Sequence, residues 1–169
     1  ELLLDVNATT NQSTVGLPPF TAVGNLAYFI SGPAAESSLW KTDGTEAGTI
    51  KIRTFESITQ LTNVNGILFF AASESFGNVE LWKSDGTPDG TVLVKDISPG
   101  PTSSAPTAFA VIGGIVYFRC DDGVHGSELW RTDGTGGGTE LFLDIASGLE
   151  GSYPRCLTEL GGLLYFAAY

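Results

Sequence analysis

The feature that most restricts the fold of this chain is a repeated pattern, Leu-Trp-Lys/Arg-Thr/Ser-Asp-Gly-Thr-x-x-Gly-Thr, which occurs three times. The copies span Leu39 to Thr49, Leu81 to Thr91 and Leu129 to Thr139. An apolar run precedes each copy, and a fourth such run lies at Leu163 to Ala168. Repeats at a spacing of about 40 to 50 residues are typical of proteins whose units fold only against their neighbours. The sequence therefore predicts an array of one small unit.

Each unit divides into four candidate strands separated by turn residues, and no stretch shows a helical period. The second strand is apolar at successive positions, as in Ile67 to Ala72, so both faces of its sheet must be covered. This pattern predicts an all-β fold, a β-propeller-like array of four-stranded antiparallel blades, with a β-sandwich as the alternative. In the third unit, the predicted strands are Thr107–Ile112, Ile115–Arg119, Glu128–Thr132 and Glu140–Ile145.

We expect one repeat domain over residues 1–169 that contains about three and a half blades. The absence of methionine and an incomplete last unit indicate a processed product or a segment of a longer chain. Because sheet edges left open attract other strands, we expect neighbours in the form of further blades or a homo-oligomer. The predicted boundaries are a partial blade at 1–6, blades at 17–55, 58–98 and 106–146, and a partial blade at 154–169.

The repeated motif is predicted to be a structural hairpin connector. Asp-Gly favours turns that need positive φ, and the aspartate can accept hydrogen bonds from backbone amides of the loop. The tryptophan offers a large packing surface beside the turn, and the later glycine is expected to relax the return of the chain. The predicted structural residues are Trp40, Asp43, Gly44, Trp82, Asp85, Gly86, Trp130, Asp133 and Gly134.

With the glutamates Glu80 and Glu128 in front of the second and third copies, the motif resembles the ELWxxDGT tandem-repeat family. The first copy departs from the family pattern, because Ser38 replaces the glutamate. The stretch from Asp122 to Gly126 also resembles the family pattern, in the third unit alone. The resemblance covers the whole chain. It implies a propeller-like, non-enzymatic module of large, mostly bacterial, surface or secreted proteins, and hence an extracellular or cell-surface location.

No catalytic residue is predicted. Asp-Gly-Thr also occurs in haloacid-dehalogenase phosphatases, but their nucleophilic aspartate is replaced here by a basic residue that cannot form an aspartyl-phosphate. His125 lies in a glycine-flanked loop without a nearby nucleophile, which favours a surface histidine over a general base. A fragment of a propeller enzyme remains an alternative by fold analogy alone. The basic residues at the nucleophile position are Lys41, Lys83 and Arg131.

The composition of the chain restricts the classes of molecule that it is expected to bind. Eight basic and nineteen acidic residues give a formal charge of −11, which disfavours nucleic acid and anionic membranes. No apolar stretch is long enough to span a membrane. The leading hypothesis is a structural or adhesive module that packs with further blades or copies of itself. The alternative is a carbohydrate- or ligand-binding propeller, in which aromatic faces stack on sugars.

We expect no cofactor and no metal site. Calcium is the alternative to weigh, but the motif turn offers one carboxylate where an EF-hand loop needs several. Asp5, Asp96 and Asp144 recur at the end of the fourth strand, whereas Thr54 stands at the matching position of the remaining unit. A per-unit calcium site would therefore be incomplete.

Two pairs of residues suggest covalent modification. Cys120 and Cys156 lie on predicted strands of adjacent units, which allows either a disulfide or two buried free thiols. With one histidine and no Cys-x-x-Cys, the sequence contains no zinc ligand set. Asn7 and Asn11 each begin an acceptor sequon and are candidate glycosylation sites.

Overall fold

The computed structural model describes residues 20–33, 36–75 and 77–169, and this part of the chain is all-β without a helix. Its strands form four antiparallel sheets, and within each sheet the strands are hydrogen-bonded in the order of the sequence. Sheet 1 contains β1 (Thr21–Val23), β2 (Leu26–Ser31), β3 (Ser37–Thr42) and β4 (Ile50–Phe55). Sheet 2 contains β5 (Ser57–Val64), β6 (Ile67–Ser73), β7 (Glu80–Ser84) and β8 (Val92–Lys95). Sheet 3 contains β9 (Thr107–Ile112), β10 (Ile115–Asp121), β11 (Ser127–Thr132) and β12 (Glu140–Leu143). Sheet 4 contains β13 (Arg155–Leu160) and β14 (Leu163–Ala167).

A turn of two residues joins the first and second strands of each sheet. The turn between β5 and β6 consists of Asn65 and Gly66, whose φ angles of 51° and 93° match the type I′ geometry that suits the twist of antiparallel strands. The motif turn joins the third and fourth strands in sheets 1, 2 and 3. The Asp-Gly-Thr motif is therefore a hairpin connector, as its residues predicted.

A β-bulge recurs beside each motif turn. The register of the third and fourth strands shifts between the leucine and the tryptophan of the motif, so that one extra residue lies on the fourth strand. In sheet 1 the extra residue is Ile52, which joins the core shared with sheet 2, while the following Arg53 hydrogen-bonds to sheet 2 as well. The bulge thus lets two consecutive residues contact the next sheet.

Sheets 1, 2 and 3 pack on one another through two apolar cores, one between sheets 1 and 2 and one between sheets 2 and 3. Strand β6 contributes to both cores, because Leu68, Phe70 and Ala72 pack towards sheet 1 whereas Phe69 packs towards sheet 3. This alternation explains why the strand is apolar at successive positions. We call the side of a sheet that faces the following sheet its forward face, and the opposite side its backward face.

The fourth strand of sheet 3 ends earlier than predicted, at Leu143 instead of Ile145. The amides of Ile145 and Ala146 donate to the Glu128 carboxylate at 3.1 and 3.0 Å, so they are not free to continue the ladder. The predicted partial blade at 1–6, Asp5 and the two sequons at Asn7 and Asn11 lie outside the described residues. In the described part of the chain, no helix is long and apolar enough to cross a membrane.

Candidate functional site

The aspartate of each motif is an acceptor within its own turn. In the third copy, Asp133 Oδ1 accepts hydrogen bonds from the backbone N of Thr135 at 2.8 Å and from its hydroxyl at 2.7 Å. The same two bonds occur from Thr45 to Asp43 and from Thr87 to Asp85. The bond from the threonine hydroxyl lowers the pKa of all three aspartates, because it favours the charged carboxylate. These groups are therefore poor candidates for a general base.

A pair of hydroxyl groups fastens the base of each turn. Thr132 Oγ1 and Thr139 Oγ1 are 2.7 Å apart and buried, and the backbone N of Gly134 donates to Thr132 Oγ1 at 2.9 Å. The Thr135 hydroxyl accepts from the backbone N of Gly138 at 2.9 Å. The polar side chains of the motif are thus joined in one local network. The equivalent hydroxyl pairs are Thr42 with Thr49 and Ser84 with Thr91.

Two glycines of the motif are required for different reasons. Gly134 has a φ of 91°, in the region that side chains disfavour, as the Asp-Gly pattern predicted. Gly138 does not have positive φ, but a Cβ at this position would overlap the Asp133 carboxylate. The sequence predicted that this glycine relaxes the return of the chain. The structure gives a steric reason instead, because Gly138 leaves room for the Asp133 carboxylate.

Basic side chains of each preceding sheet hold the next motif turn. Lys41 Nζ donates to the carbonyl of Gly86 at 2.7 Å, and Lys83 Nζ donates to the carbonyl of Gly134 at 2.8 Å. A second pair of bonds follows the same pattern, since Arg53 Nη1 donates to Thr91 O and Lys95 Nζ to Thr139 O, each at 2.7 Å. Sequence reasoning missed this role, although a basic residue after the tryptophan of every copy was a visible signal.

Replacing Lys83 with methionine is expected to lower the free energy of unfolding by about 1 kcal/mol, because the aliphatic stem stays while the hydrogen bond to Gly134 is lost. Urea unfolding followed by tryptophan fluorescence would measure the change. The matched control is Lys51→Met at an exposed position of β4, which should change stability by less than about 0.5 kcal/mol. Equal effects of the two substitutions would show that the bond between the sheets contributes nothing.

The tryptophans of the second and third copies are buried between sheets. Trp82 and Trp130 are both 6% exposed, and each lies under a cation of the preceding sheet. The Arg53 guanidinium is 4.9 Å from the Trp82 ring centre, and Lys95 Nζ is 5.9 Å from the Trp130 ring centre. Trp40 is only half-buried and stacks on Phe29, with a centroid distance of 6.2 Å. The indoles of the second and third copies are therefore packing groups without an open face for a ligand.

The glutamate in front of the motif is a buried clamp. Glu128 accepts hydrogen bonds from the amides of Ile145, Ala146 and Ser152 and from the Ser152 hydroxyl, which donates at 2.6 Å. Glu80 is equivalent and accepts from Ile97 N and from both the amide and the hydroxyl of Ser104. Burial raises the pKa of Glu80, although these donors oppose the rise. Each glutamate ties the connection to the next sheet onto the third strand.

The first copy of the motif lacks the preceding glutamate for a structural reason. Ser38 stands where the other copies have glutamate, and its hydroxyl lies 2.9 Å from that of Thr54 on β4. The connection from β4 to β5 passes through a single residue, Glu56, whereas the connections after β8 and β12 are long loops. A glutamate is thus present where a long connection must be held and absent where the connection is short.

The loop between β10 and β11 contains an ion pair. His125 Nδ1 lies 2.7 Å from Asp122 Oδ2, and Asp122 Oδ1 accepts from the amides of Val124 and His125. The hydrogen bond to Asp122 raises the pKa of His125, and the charges of Asp144 and Glu128 add to the rise. The histidine is a loop-closing group, with the carboxylate of its own loop as its partner.

The imidazole of His125 is expected to titrate above its usual pKa of about 6.5. Because the folded-state pKa exceeds the unfolded value, the protonated side chain stabilises the fold below about pH 6.5, and this contribution is lost as the pH rises through the folded pKa. An NMR titration can follow it without assignment ambiguity, since the chain has one histidine. Asp122→Asn should lower the measured pKa, and an unchanged titration in this variant would contradict the assigned cause.

The two cysteines are both free thiols and are not joined as a disulfide. Cys120 is buried in the core between sheets 2 and 3, where burial raises the pKa of its thiol well above the usual value. Cys156 is exposed, at an irregularity of β13 with a φ of 56°. A bridge is disfavoured because Cys120 packs towards sheet 2, away from the strand that carries Cys156. The alternative of two buried thiols is also wrong for Cys156.

No cluster of three or more potential metal ligands occurs in the described part of the chain. Asp96 and Asp144, at the ends of their fourth strands, are exposed. Thr54, at the matching position of sheet 1, is engaged with Ser38.

No protein-family model matches the chain, and no curated protein is significantly similar to it.

Proposed function

We propose that this chain is a non-enzymatic structural or adhesive repeat module of an extracellular or cell-surface protein, built as a β-propeller-like array of blades. The observation that carries this proposal is the use made of the repeated motif. Its aspartate, hydroxyl groups and glycines build the turn, and the preceding sheet binds the turn through Lys41 or Lys83. A motif whose reactive groups are engaged in this way serves assembly.

Several properties support the extracellular setting. The formal charge of −11 favours solubility and disfavours nucleic acid as a partner. The resemblance of the motif to repeats of surface and secreted proteins points in the same direction.

Stacked sheets also suit a structural role, because each additional unit contributes one more interface of the kind already present twice in this chain.

A thermal-shift screen tests the structural role. We expect calcium and a panel of neutral and acidic saccharides to leave the Tm unchanged, and chromogenic hydrolase substrates to remain intact. A ligand of the folded state at a hundredfold excess over its Kd would stabilise the chain by about 2.7 kcal/mol, which is roughly 5–10 °C for a chain of this size. A saturable rise in Tm of this kind would replace the structural role with a binding role.

Carbohydrate binding is the second candidate, and one observation favours it. Trp40 and Phe29 form a stacked aromatic pair. The ring centre of Phe20, which is 59% exposed, lies 5.2 Å from that of Phe29. Aromatic faces of this kind can stack on sugars. This candidate predicts a saturable change in tryptophan fluorescence on addition of a saccharide, which Trp40→Phe removes because the buried Trp82 and Trp130 do not report it.

A further inference from the structure

Each of the two outermost sheets presents an apolar face without a partner among the described residues. One is the backward face of sheet 1, which presents Trp40 and Phe29. The other is the forward face of sheet 4, where Leu160, Leu163 and Tyr165 are 67%, 61% and 53% exposed. Exposed apolar patches of several large side chains usually mark interaction surfaces.

The register of the strands shows what covers the backward face elsewhere. Phe29 pairs with Trp40 across β2 and β3, just as Phe70 pairs with Trp82 in sheet 2 and Phe118 with Trp130 in sheet 3. In sheets 2 and 3 these aromatic pairs are buried against the preceding sheet. The partner that the face of sheet 1 fits is therefore the forward face of another sheet of the same kind.

The forward face of sheet 4 is equivalent to the forward faces that are covered. Tyr165 lies opposite Thr158, and Phe69 of sheet 2 lies opposite Thr62 in the same way. Phe69 is buried against the motif glycine of sheet 3, since a Cβ on Gly134 would approach its ring to 3.0 Å. Tyr165 thus occupies the position from which an aromatic ring contacts the next motif turn.

The first motif turn has room for such a ring. A Cβ on Gly86 would overlap the hydroxyl of Tyr28, so the turns of sheets 2 and 3 each have an aromatic side chain against their Asp-Gly glycine. A Cβ on Gly44 would meet no atom within 4 Å. Among the described residues, the turn of sheet 1 is therefore the one motif turn that has no aromatic side chain against its Asp-Gly glycine.

We propose that copies of this chain associate head to tail, with the forward face of sheet 4 of one copy on the backward face of sheet 1 of a second copy. Tyr165 of the first copy lies against Gly44 of the second, as Tyr28 lies against Gly86 within the chain. Leu160 and Leu163 cover the aromatic pair of Phe29 and Trp40. The proposal rests on the proposed structural role and names its partner as a second copy.

This interface is heterologous, since each copy contributes a different face, and it leaves one face of each kind free for a further copy. Stacking between copies is bimolecular, unlike stacking within one chain, so the association depends on concentration.

Sedimentation velocity over a concentration series tests the proposal. The unmodified chain should reach a mass at least twice that of one chain as its concentration rises, whereas Trp40→Glu and Tyr165→Glu should each remain monomeric. An equimolar mixture of the two variants should form a dimer and nothing larger, because each supplies the face that the other lacks. Leu163→Glu provides a second variant of the sheet 4 face, and Leu149→Glu, in an exposed loop, is its matched control and should associate like the unmodified chain.

Circular dichroism and the Tm of each variant establish that it is folded before its mass is interpreted. A monomeric unmodified chain at every concentration would overturn the proposal. So would a mixture that stays monomeric, or a Tyr165→Glu chain that still dimerises, which would indicate a symmetric contact through sheet 1. These results leave the structural role of the stack untouched, whereas a ligand found in the thermal-shift screen would remove that role without changing the mass.

Discussion

Replacing Glu128 with glutamine is expected to destabilise the chain by about 3 kcal/mol, which is a large share of the stability of a domain of this size. The side chain is fully buried and accepts hydrogen bonds from three backbone amides and one hydroxyl. Glutamine keeps the shape but replaces one acceptor oxygen with an NH₂ group, which faces the Ile145 amide in one orientation and the Ala146 and Ser152 amides in the other. Donors that lose their acceptor in a buried site cost more than the bond itself contributed.

The matched control for this change is Glu140→Gln, the same substitution on the same sheet. Glu140 is exposed and pairs with Arg131, whose Nε donates to it at 2.9 Å. Exposed ion pairs contribute about 0–1 kcal/mol, so the control should unfold at nearly the same urea concentration as the unmodified chain. Equal losses from both substitutions in urea denaturation would show that Glu128 does not act as a clamp.

Replacing Gly138 with alanine is expected to cost about 2 kcal/mol, as is usual when a side chain enters a loop position that has no room for it. The new Cβ would overlap the Asp133 carboxylate, which must then release Thr135 or distort the turn. The neighbouring Gly137 is the internal control, because its Cβ would meet no atom within 4 Å and its φ is not positive. Gly137→Ala should be neutral or stabilising by about 0.5 kcal/mol, since alanine restricts the unfolded chain.

A double-mutant cycle separates the steric cause from a general effect on the loop. In an Asp133→Ala background the carboxylate is absent, so Gly138→Ala should cost much less than it costs alone. Thermal denaturation of the four proteins measures the coupling directly. If the two substitutions were additive, the close approach of Gly138 to Asp133 would not be the reason that glycine occupies this position.

The local parts of the structure were the most predictable from the sequence. The Asp-Gly-Thr turn closes its own hydrogen bonds within a few residues, as between Asp133 and Thr135, so residue type and spacing were sufficient to predict it. The strands of the third unit start and end within two residues of their predicted bounds, because turn residues flank each apolar run. The buried state of β6 followed from its unbroken apolar sequence.

The contacts between units were less predictable, for a physical reason. Lys41 and Gly86 are 45 residues apart, and nothing in the local sequence shows that a lysine side chain reaches a backbone carbonyl of the next turn. The face on which a side chain lies also decided the cysteines, since Cys120 packs towards sheet 2. Sequence spacing suggested two nearby strands but did not show which side of each strand the sulfur occupies.

The sequence by itself determined the repeating unit, the all-β class, the strand positions and the motif turn, because these depend on local hydrogen bonds, on side-chain alternation and on the backbone freedom of glycine. Only the tertiary structure decided how the units bind one another: that Glu128 clamps a connection, that Lys83 caps the next turn, and that the indole of Trp82 is buried while that of Trp40 is not. These properties arise when one sheet covers another, whereas the three tryptophans occupy the same position of the repeated motif. Their different exposure therefore reflects position in the stack.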